Sequence, residues 1–332
     1  MLWAELVNNN ISVDYVQSYK NTHRHENWHF EIQDYENDST TTASSSASFV
    51  ENLLAQAYGP AQRQRRAYVL INPNAGPGGA LRKWTQEVKP LFDAARLETT
   101  VVVLEKGCQA TELVVTADLD KYDTIMALSG DGTLHEIFNG LAQRPDARRA
   151  LASIAVSHIP CGSGNAMACN LYGPGNATAA ALAIIKGIIA PLDLISITQG
   201  DRRYVSFLSQ SLGVIAESDL ATEHLRWMGS TRFDYGIATR VFRKQCYPCD
   251  LAVKVVAEEK SEVKSHYRRY ATVEPLEHFD TIDGGGAGLP NLKYGTIKDE
   301  LPAGWELIHH DKVGSLFVGN VSLRHFVCIT LC

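Results

Sequence analysis

The sequence predicts an α/β domain, a parallel sheet in three layers, followed by a mainly antiparallel second domain read as a β-sandwich truncated at its C-terminus. Three observations carry this. Between 67 and 189, short apolar runs alternate with stretches of helical length, the rhythm of a parallel sheet covered on both faces. Three of the four runs end in turns rich in glycine. After Pro191 the helical stretches thin out while short strands continue, which marks a change of fold.

The first strand is AYVLIN (67–72), closed by Asn-Pro and glycines. TTVVVL (99–104), DTIMAL (123–128) and SIAVSHI (153–159) follow, β-branched or apolar and of buried-strand length, with helices expected near 80–96, 109–118 and 133–143. In the second domain LDLISIT (192–198), RYVSFLS (203–209), LAVKVV (251–256) and HYRRYATV (266–273) read as strands. A helix is expected over 219–243, and DGGGAGLPN (283–291) is a flexible excursion. The last stretch, LFVGNVSLRHFVCITLC (316–332), stays apolar to its final residue, so the second domain is expected to lack its closing strands.

Residues 1–62 stand apart. They carry few aliphatic side chains, and eight of the ten residues in 39–48 are Ser or Thr. Such a segment is expected to be mostly disordered, because it buries too little apolar surface to offset its ordering entropy. The organisation is therefore 1–62 as a low-complexity region, 63–190 as the α/β domain and 191–332 as the β-rich domain. Arg63, Arg65 and Arg66 read as a solvated domain edge, with contact to acidic lipid as the alternative.

With 332 residues, 45% of them hydrophobic, the chain can bury a sizeable core. Its 31 Lys and Arg against 37 Asp and Glu leave a net charge of −6, which argues against nucleic acid as a general partner. Seven cysteines without repeating spacing read as reduced thiols. The most apolar stretch, 177–189, is interrupted by Lys186 and Gly187 and falls short of the ~18–20 residues of a spanning helix. No basic start precedes an apolar core at the N-terminus. A cytoplasmic protein is expected, its oligomeric state left open.

The chemistry lies in the turns. NPNAGPGG (72–79), SGDGT (129–133) and PCGSGN (160–165) follow three of the four strands of the parallel sheet, where open α/β sheets bind ligands. Glycines admit close backbone approach, and amides at a helix start face phosphate oxygens. None of the three fits G-x-x-x-x-G-K-[ST] or G-x-G-x-x-G, so a nucleotide site of another kind is expected. Asp131, flanked by two glycines, can take a proton from an attacking hydroxyl or help hold Mg²⁺. The plainer alternative is a cap on the helix that starts near Thr133.

These residues, in this order, resemble the diacylglycerol kinase-type catalytic domain shared by diacylglycerol, ceramide and sphingosine kinases. SGDGT followed by HEIFNGL (135–141) is similar to that family's nucleotide signature, and PCGSGN to its PAGSGN loop. The resemblance covers roughly 67–260. It implies a two-domain fold, ATP as phosphoryl donor, Mg²⁺, and a lipid alcohol as acceptor. The segment 207–236 resembles the one that in sphingosine kinases reads the lipid's polar end. Carried over, Asp131 is the general base, with Mg²⁺ near it through the nucleotide. Asn72, Asn74, Gly76, Ser129, Gly130, Gly132, Thr133, Gly162, Ser163 and Gly164 line the nucleotide. Arg226 and Arg232 face its phosphates, while Asp219, Ser129 and Asp131 meet the lipid. On spacing alone, Asp219 heads a helix, and each arginine reads first as a surface ion pair with Glu217 or Glu223; the resemblance reverses that order.

The implied function is phosphorylation of the primary hydroxyl of a sphingoid long-chain base at a membrane surface, by peripheral association. Kinases of diacylglycerol, ceramide or NAD are the alternatives within the superfamily, and an inactive lipid- or nucleotide-binding protein the alternative outside it. Three departures stand out. Leu104 or Glu105 replaces a threonine of the family's second loop, Cys161 replaces an alanine, and no late Asp-Gly partner is evident. Cys246-Tyr-Pro-Cys249 lacks the second pair that a structural zinc needs. His135-Glu136 and His309-His310-Asp311 read as polar surface, and Asn176-Ala-Thr as a sequon in form only.

Overall fold

The computed structural model describes residues 1–7, 10–20, 22–32, 39–173, 176–187, 189–271, 286–320 and 330–331. The chain divides into two compact units, one of residues 1–140 and 153–190, the other of 141–152 and 191–332.

The first unit opens with β1 (Trp3–Val7), β2 (Asn10–Tyr19) and β3 (Thr22–Glu31), an antiparallel meander. A 20-residue helix, α1 (Ser39–Tyr58), follows. The disorder expected of 1–62 is thus corrected. The Ser/Thr run forms the first half of α1, and the second half supplies Val50, Leu54 and Tyr58 at helical spacing. Those three are buried in one core with Leu2, Ala4 and Ile11, and the Tyr58 hydroxyl donates to the Leu2 carbonyl. The meander also buries a carboxylate, Asp14. It is bonded to His25 at 2.7 Å and Asn27 at 2.8 Å and paired with Arg96 at 3.3 Å, the satisfaction that a buried charge requires.

Four parallel strands form the body of this unit. They are β4 (Arg66–Ile71), β5 (Glu98–Val103), β6 (Thr124–Ser129) and β7 (Ala155–Pro160), in the order β5-β4-β6-β7. β6 is buried throughout and β4 from Ala67 onward. β5 is an edge strand, with Val101 and Val103 exposed, so its β-branched run reflects strand propensity rather than cover on both faces. The helices between residues 80 and 190 are α2 (Ala80–Lys83), a π-helical turn (Trp84–Val88), α3 (Lys89–Ala94), α4 (Gln109–Thr116), α5 (Asp131–Ala142), α6 (Ala147–Ser153), α7 (Ala166–Tyr172) and α8 (Ala177–Ile185). The last two residues of α5, Leu141 and Ala142, and all of α6 except Ser153 fall in the second unit. Asn176, the sequon residue, caps α8 by accepting from the Ala179 amide at 2.9 Å.

The second unit is antiparallel. β8 (Ile195–Gln199) pairs with β9 (Arg202–Ser206), β10 (Ser209–Gly213) with β13 (Val313–Gly319), β11 (Cys249–Val253) with β12 (Glu306–His310), and β13 also with β14 (Thr330–Leu331). Its helices are α9 (Val214–Ala221), α10 (Thr231–Phe242) and α11 (Lys260–Ala271), with a 3₁₀ segment at Glu223–Met228. Two expectations are corrected here. The strand read at 266–273 is helix α11 as far as Ala271, its last two positions lying outside the described residues. The helix expected from 219 starts five residues earlier, behind Gly213 at φ +85. Residues 283–285 of the excursion and 321–329 and 332 of the apolar terminus also lie outside the described residues.

Leu54→Ala tests the packing of α1. Emptying a buried leucine site costs about 2–5 kcal/mol, so the urea midpoint of the first unit is expected to fall accordingly. An unchanged midpoint would mean that α1 does not belong to this core.

Candidate active site

The three glycine loops meet at the carboxyl ends of β4, β6 and β7. Parallel register sets Ser129 of β6 beside Pro160 of β7, so the loops that follow leave the sheet side by side. A Cβ on Gly162 would overlap the Gly130 Cα, and one on Gly76 would lie 2.7 Å from the Cys161 carbonyl oxygen. Gly76 moreover has φ +55, where side chains are strained. Three glycines of the sequence reading thus let three backbones touch. Gly132 differs, since a Cβ there would face open space.

Hydrogen bonds lock the contact. The Ser129 carbonyl accepts from the Cys161 amide at 2.9 Å and the Gly162 amide at 3.1 Å. The buried Ser129 hydroxyl donates to the Gly130 carbonyl at 2.8 Å. Asp131 opens α5, yet its carboxylate turns to the next loop. Oδ2 accepts from the Ala166 amide at 2.9 Å and Oδ1 from the Met167 amide at 3.0 Å. The sequence read a cap on its own helix as the plain alternative; the helix it caps is α7. Two amides expected to face phosphate therefore face Asp131. Among the described residues, the amides of Ser163 and Gly164 meet no acceptor. Each carboxylate oxygen accepts one amide and retains lone-pair capacity.

The first loop joins the same cluster. Asn72 donates its side-chain amide to the buried Thr133 hydroxyl at 3.3 Å, and its Oδ1 accepts from the Asn74 amide at 3.0 Å. Two residues were missed by sequence reading. Asn165, at φ +56, closes its own loop by accepting from the Gly162 amide at 2.7 Å and donating to the Gly162 carbonyl at 2.8 Å. Its place directly after Gly-Ser-Gly was the available signal, since Asn tolerates the left-handed region. Lys83 donates to the Pro160 carbonyl at 3.2 Å, a contact that no local pattern announces. Cys161 is buried among them, and burial pushes its thiol up to about 11. Leu104 is buried and apolar, so it offers no hydroxyl in the family threonine's stead.

In the second unit, Asp219 lies in the last turn of α9 rather than at a helix start. The Arg232 side chain, 8% exposed, pairs with the Asp219 carboxylate, which stays 59% exposed. The same guanidinium donates to the Asp219 carbonyl at 3.0 Å and the Thr222 hydroxyl at 3.2 Å. Glu217, the partner that sequence offered, pairs with Arg240 at 3.1 Å. Arg226 falls in the 3₁₀ segment, which has a kink at Leu225, so it does not continue the face of α9; its side chain lies outside the described residues.

The constellations set aside in the sequence behave as follows. Among the described residues no three His, Cys, Asp or Glu side chains are grouped to hold a metal. Glu136 is half-buried rather than polar surface, accepting from the Ala110 amide at the start of α4. His309 bridges Asp250 and Asp311, which raise its pKa.

Residues 66–197 match the family model of the diacylglycerol kinase catalytic domain, so the resemblance read from the three loops holds. Residues 1–59 match a family described only as a domain of unknown function. The chain is similar to sphingoid long chain base kinase 5 of Saccharomyces cerevisiae, 40% identical over 74% of this chain and 36% of the relative. It is similar also to sphingoid long chain base kinase 4 of Schizosaccharomyces pombe, at 35% over 72% and 52%. Human sphingosine kinase 1 is 34% identical over 57% and 52%. The chain thus spans about half, or less, of the length of these relatives. A crystal structure of a diacylglycerol kinase from Bacillus anthracis superposes with a TM-score of 0.43 at 22% identity, over 57% of this chain and 58% of that one, too loosely to position any residue.

Two measurements check the loop geometry. Gly162→Ala forces the loops apart and should cost about 1–3 kcal/mol by overpacking, whereas Gly132→Ala keeps the native melting temperature. Equal melting temperatures would refute the close contact. At pH 8, iodoacetamide should modify the exposed Cys108 and Cys169 well before Cys161, because the thiolate is the nucleophile and Cys161 stays protonated there. Peptide mapping that finds all three equally labelled would contradict this burial.

Proposed function

We propose that this chain is an ATP-dependent lipid kinase that phosphorylates the primary hydroxyl of a sphingoid long-chain base, giving the base 1-phosphate. The observation that carries the reading is Asp131, a carboxylate at the end of a central strand, oriented by two amides of the adjacent glycine loop within the stretch matched to the diacylglycerol kinase catalytic domain. The names of the yeast relatives favour a sphingoid base over diacylglycerol as acceptor.

In the proposed reaction the base's hydroxyl oxygen bonds to the γ-phosphorus of ATP. Its proton passes to Asp131, the bond from that phosphorus to the β–γ bridging oxygen breaks, and ADP leaves. Asn72, Asn74, Gly76, Ser129, Thr133 and Gly162 shape the nucleotide cradle. The amides of Ser163 and Gly164, with those of Gly130 to Gly132 at the start of α5, stabilise charge on the transferring group, where most of such catalysis lies. No cage of protein ligands for a metal exists among the described residues. A divalent cation, Mg²⁺ in this proposal, fits as one carried on the phosphates beside Asp131, supplying charge neutralisation.

Asp219 reads the cationic amino group of the base. Its exposed carboxylate supports this, and its bond to Arg232 fixes the direction it points. Arg232 therefore serves the phosphates only after leaving Asp219, and Arg226 remains the arginine assigned to them. The second unit is read as a lipid-binding β-sandwich. Leu220, Trp227, Val241 and Phe242 are exposed apolar side chains around α9 and α10, which supports an acyl chain or a bilayer surface as their partner. That association is proposed as peripheral; among the described residues no helix is long and apolar enough to cross a membrane.

The test is transfer of label from γ-labelled ATP with Mg²⁺ to sphinganine, phytosphingosine, diacylglycerol, ceramide and NAD. Label is expected on the two bases alone. Asp131→Asn should lower transfer by about 10²–10⁴-fold. Asp219→Asn should raise the KM for sphinganine about tenfold or more, the loss of one charged hydrogen bond, with ATP affinity unchanged. Label on diacylglycerol, ceramide or NAD instead would overturn the acceptor. No label on any, with ATP still bound, would point to a binding protein.

A further inference from the structure

His158 lies on β7, in register with Ala127 of β6, and is fully buried. Its Nε2 is 2.9 Å from the Ser129 carbonyl oxygen, the same oxygen that accepts the Cys161 and Gly162 amides. A carbonyl only accepts, so Nε2 carries the proton. Nδ1 is buried and meets no hydrogen-bond partner among the described residues. That leaves a neutral imidazole in a single tautomer, with its one N–H spent on Ser129. Burial holds the ring below its ordinary pKa, while the Ser129 carbonyl and Asp131 act in the opposite sense.

An orphaned ring nitrogen in a core is a cost, and phenylalanine or leucine would fill the space without it. What the histidine adds is one donor of a particular kind. The two amides on the Ser129 carbonyl belong to Cys161 and Gly162 of the third glycine loop. The imidazole belongs to β7, a strand of the sheet itself. Ser129 is two residues from Asp131, and the turn between them contains Gly130, which has no side chain to brace it.

We propose that His158 is a positioning residue, whose Nε2–H anchors the Ser129 carbonyl to the sheet and so sets where the turn presents the Asp131 carboxylate. The role rests on the kinase reading given above. It separates two functions of the loop contact: the amides join loop to loop, and His158 joins the pair to the frame. Glutamine can bring a donor to nearly the same place as Nε2, whereas phenylalanine keeps the bulk and loses the donor.

The experiment uses the full chain as wild type, His158→Phe and His158→Gln, with melting temperatures recorded so that folded protein is compared. His158→Phe should lower kcat for sphinganine phosphorylation about 10–100-fold, the scale of a small misplacement of a reacting group, with KM for ATP and for sphinganine within about twofold of wild type. His158→Gln should recover most of the lost kcat. Equal kcat in wild type and His158→Phe, an equal loss in both variants, or a change confined to KM would overturn the proposal. Nitrogen-15 spectra of the wild-type histidines give a reading independent of turnover: one buried ring protonated at Nε2 alone is expected, and its loss in His158→Gln assigns it. An active wild type with that ring protonated at Nδ1 would overturn the role of His158 and leave the kinase reading standing. A wild type that phosphorylates no acceptor would overturn the kinase reading, and the positioning role with it.

Discussion

Everything in the candidate site depends on two backbones touching where no side chain stands between them. Gly130 and Gly162 face each other at van der Waals distance, because adjacent parallel strands end in register at Ser129 and Pro160. From that closeness follow the amides of Cys161 and Gly162 on the Ser129 carbonyl and the reach of Asp131 to the start of α7. A methyl group at Gly162 would part the loops and break both sets of bonds together. The glycines thus serve here as spacers of zero thickness as much as conformational hinges.

This changes what an acidic residue between glycines signifies. Asp131 closes a helix end, as such residues commonly do, but that helix starts 35 residues away in sequence. Structural and chemical roles need not compete for it, since two amides fix a carboxylate's direction without exhausting its lone pairs. Asp219 shows a second form of the same economy. Arg232 holds one side of it, and the remainder of the carboxylate stays open to solvent.

The four strands and three loops were legible because each is a local pattern, an apolar run stopped by glycine. What failed was either averaged or distant. The composition of 1–62 is poor in aliphatic residues as a whole, yet Leu2, Ala4 and Ile11 sit where a meander needs them and Val50, Leu54 and Tyr58 where a helix does. The apolar stretch of β5 was recognised as a strand, but its place at the sheet edge is a property of topology. The start of α9 was missed because Gly213 reads equally as a loop residue and as a helix boundary. The partners of Arg232, Asp131 and Lys83 lie in other elements, and spacing along a chain does not report them.

The N-terminal meander has a consequence in time. Its strands leave the ribosome before the partners they bond in the finished fold: Arg96, which pairs with Glu5 and Asp14, and Thr178, whose hydroxyl accepts the His23 amide at 3.1 Å. Some 155 residues separate His23 from Thr178, and contacts of such sequence separation form late. During synthesis, therefore, an edge strand bearing Trp28 and Phe30, both exposed even in the finished fold, must persist without its final neighbours. A nascent chain thus carries an apolar edge that the finished fold leaves exposed as well, the kind of surface that invites association before its sheet is complete.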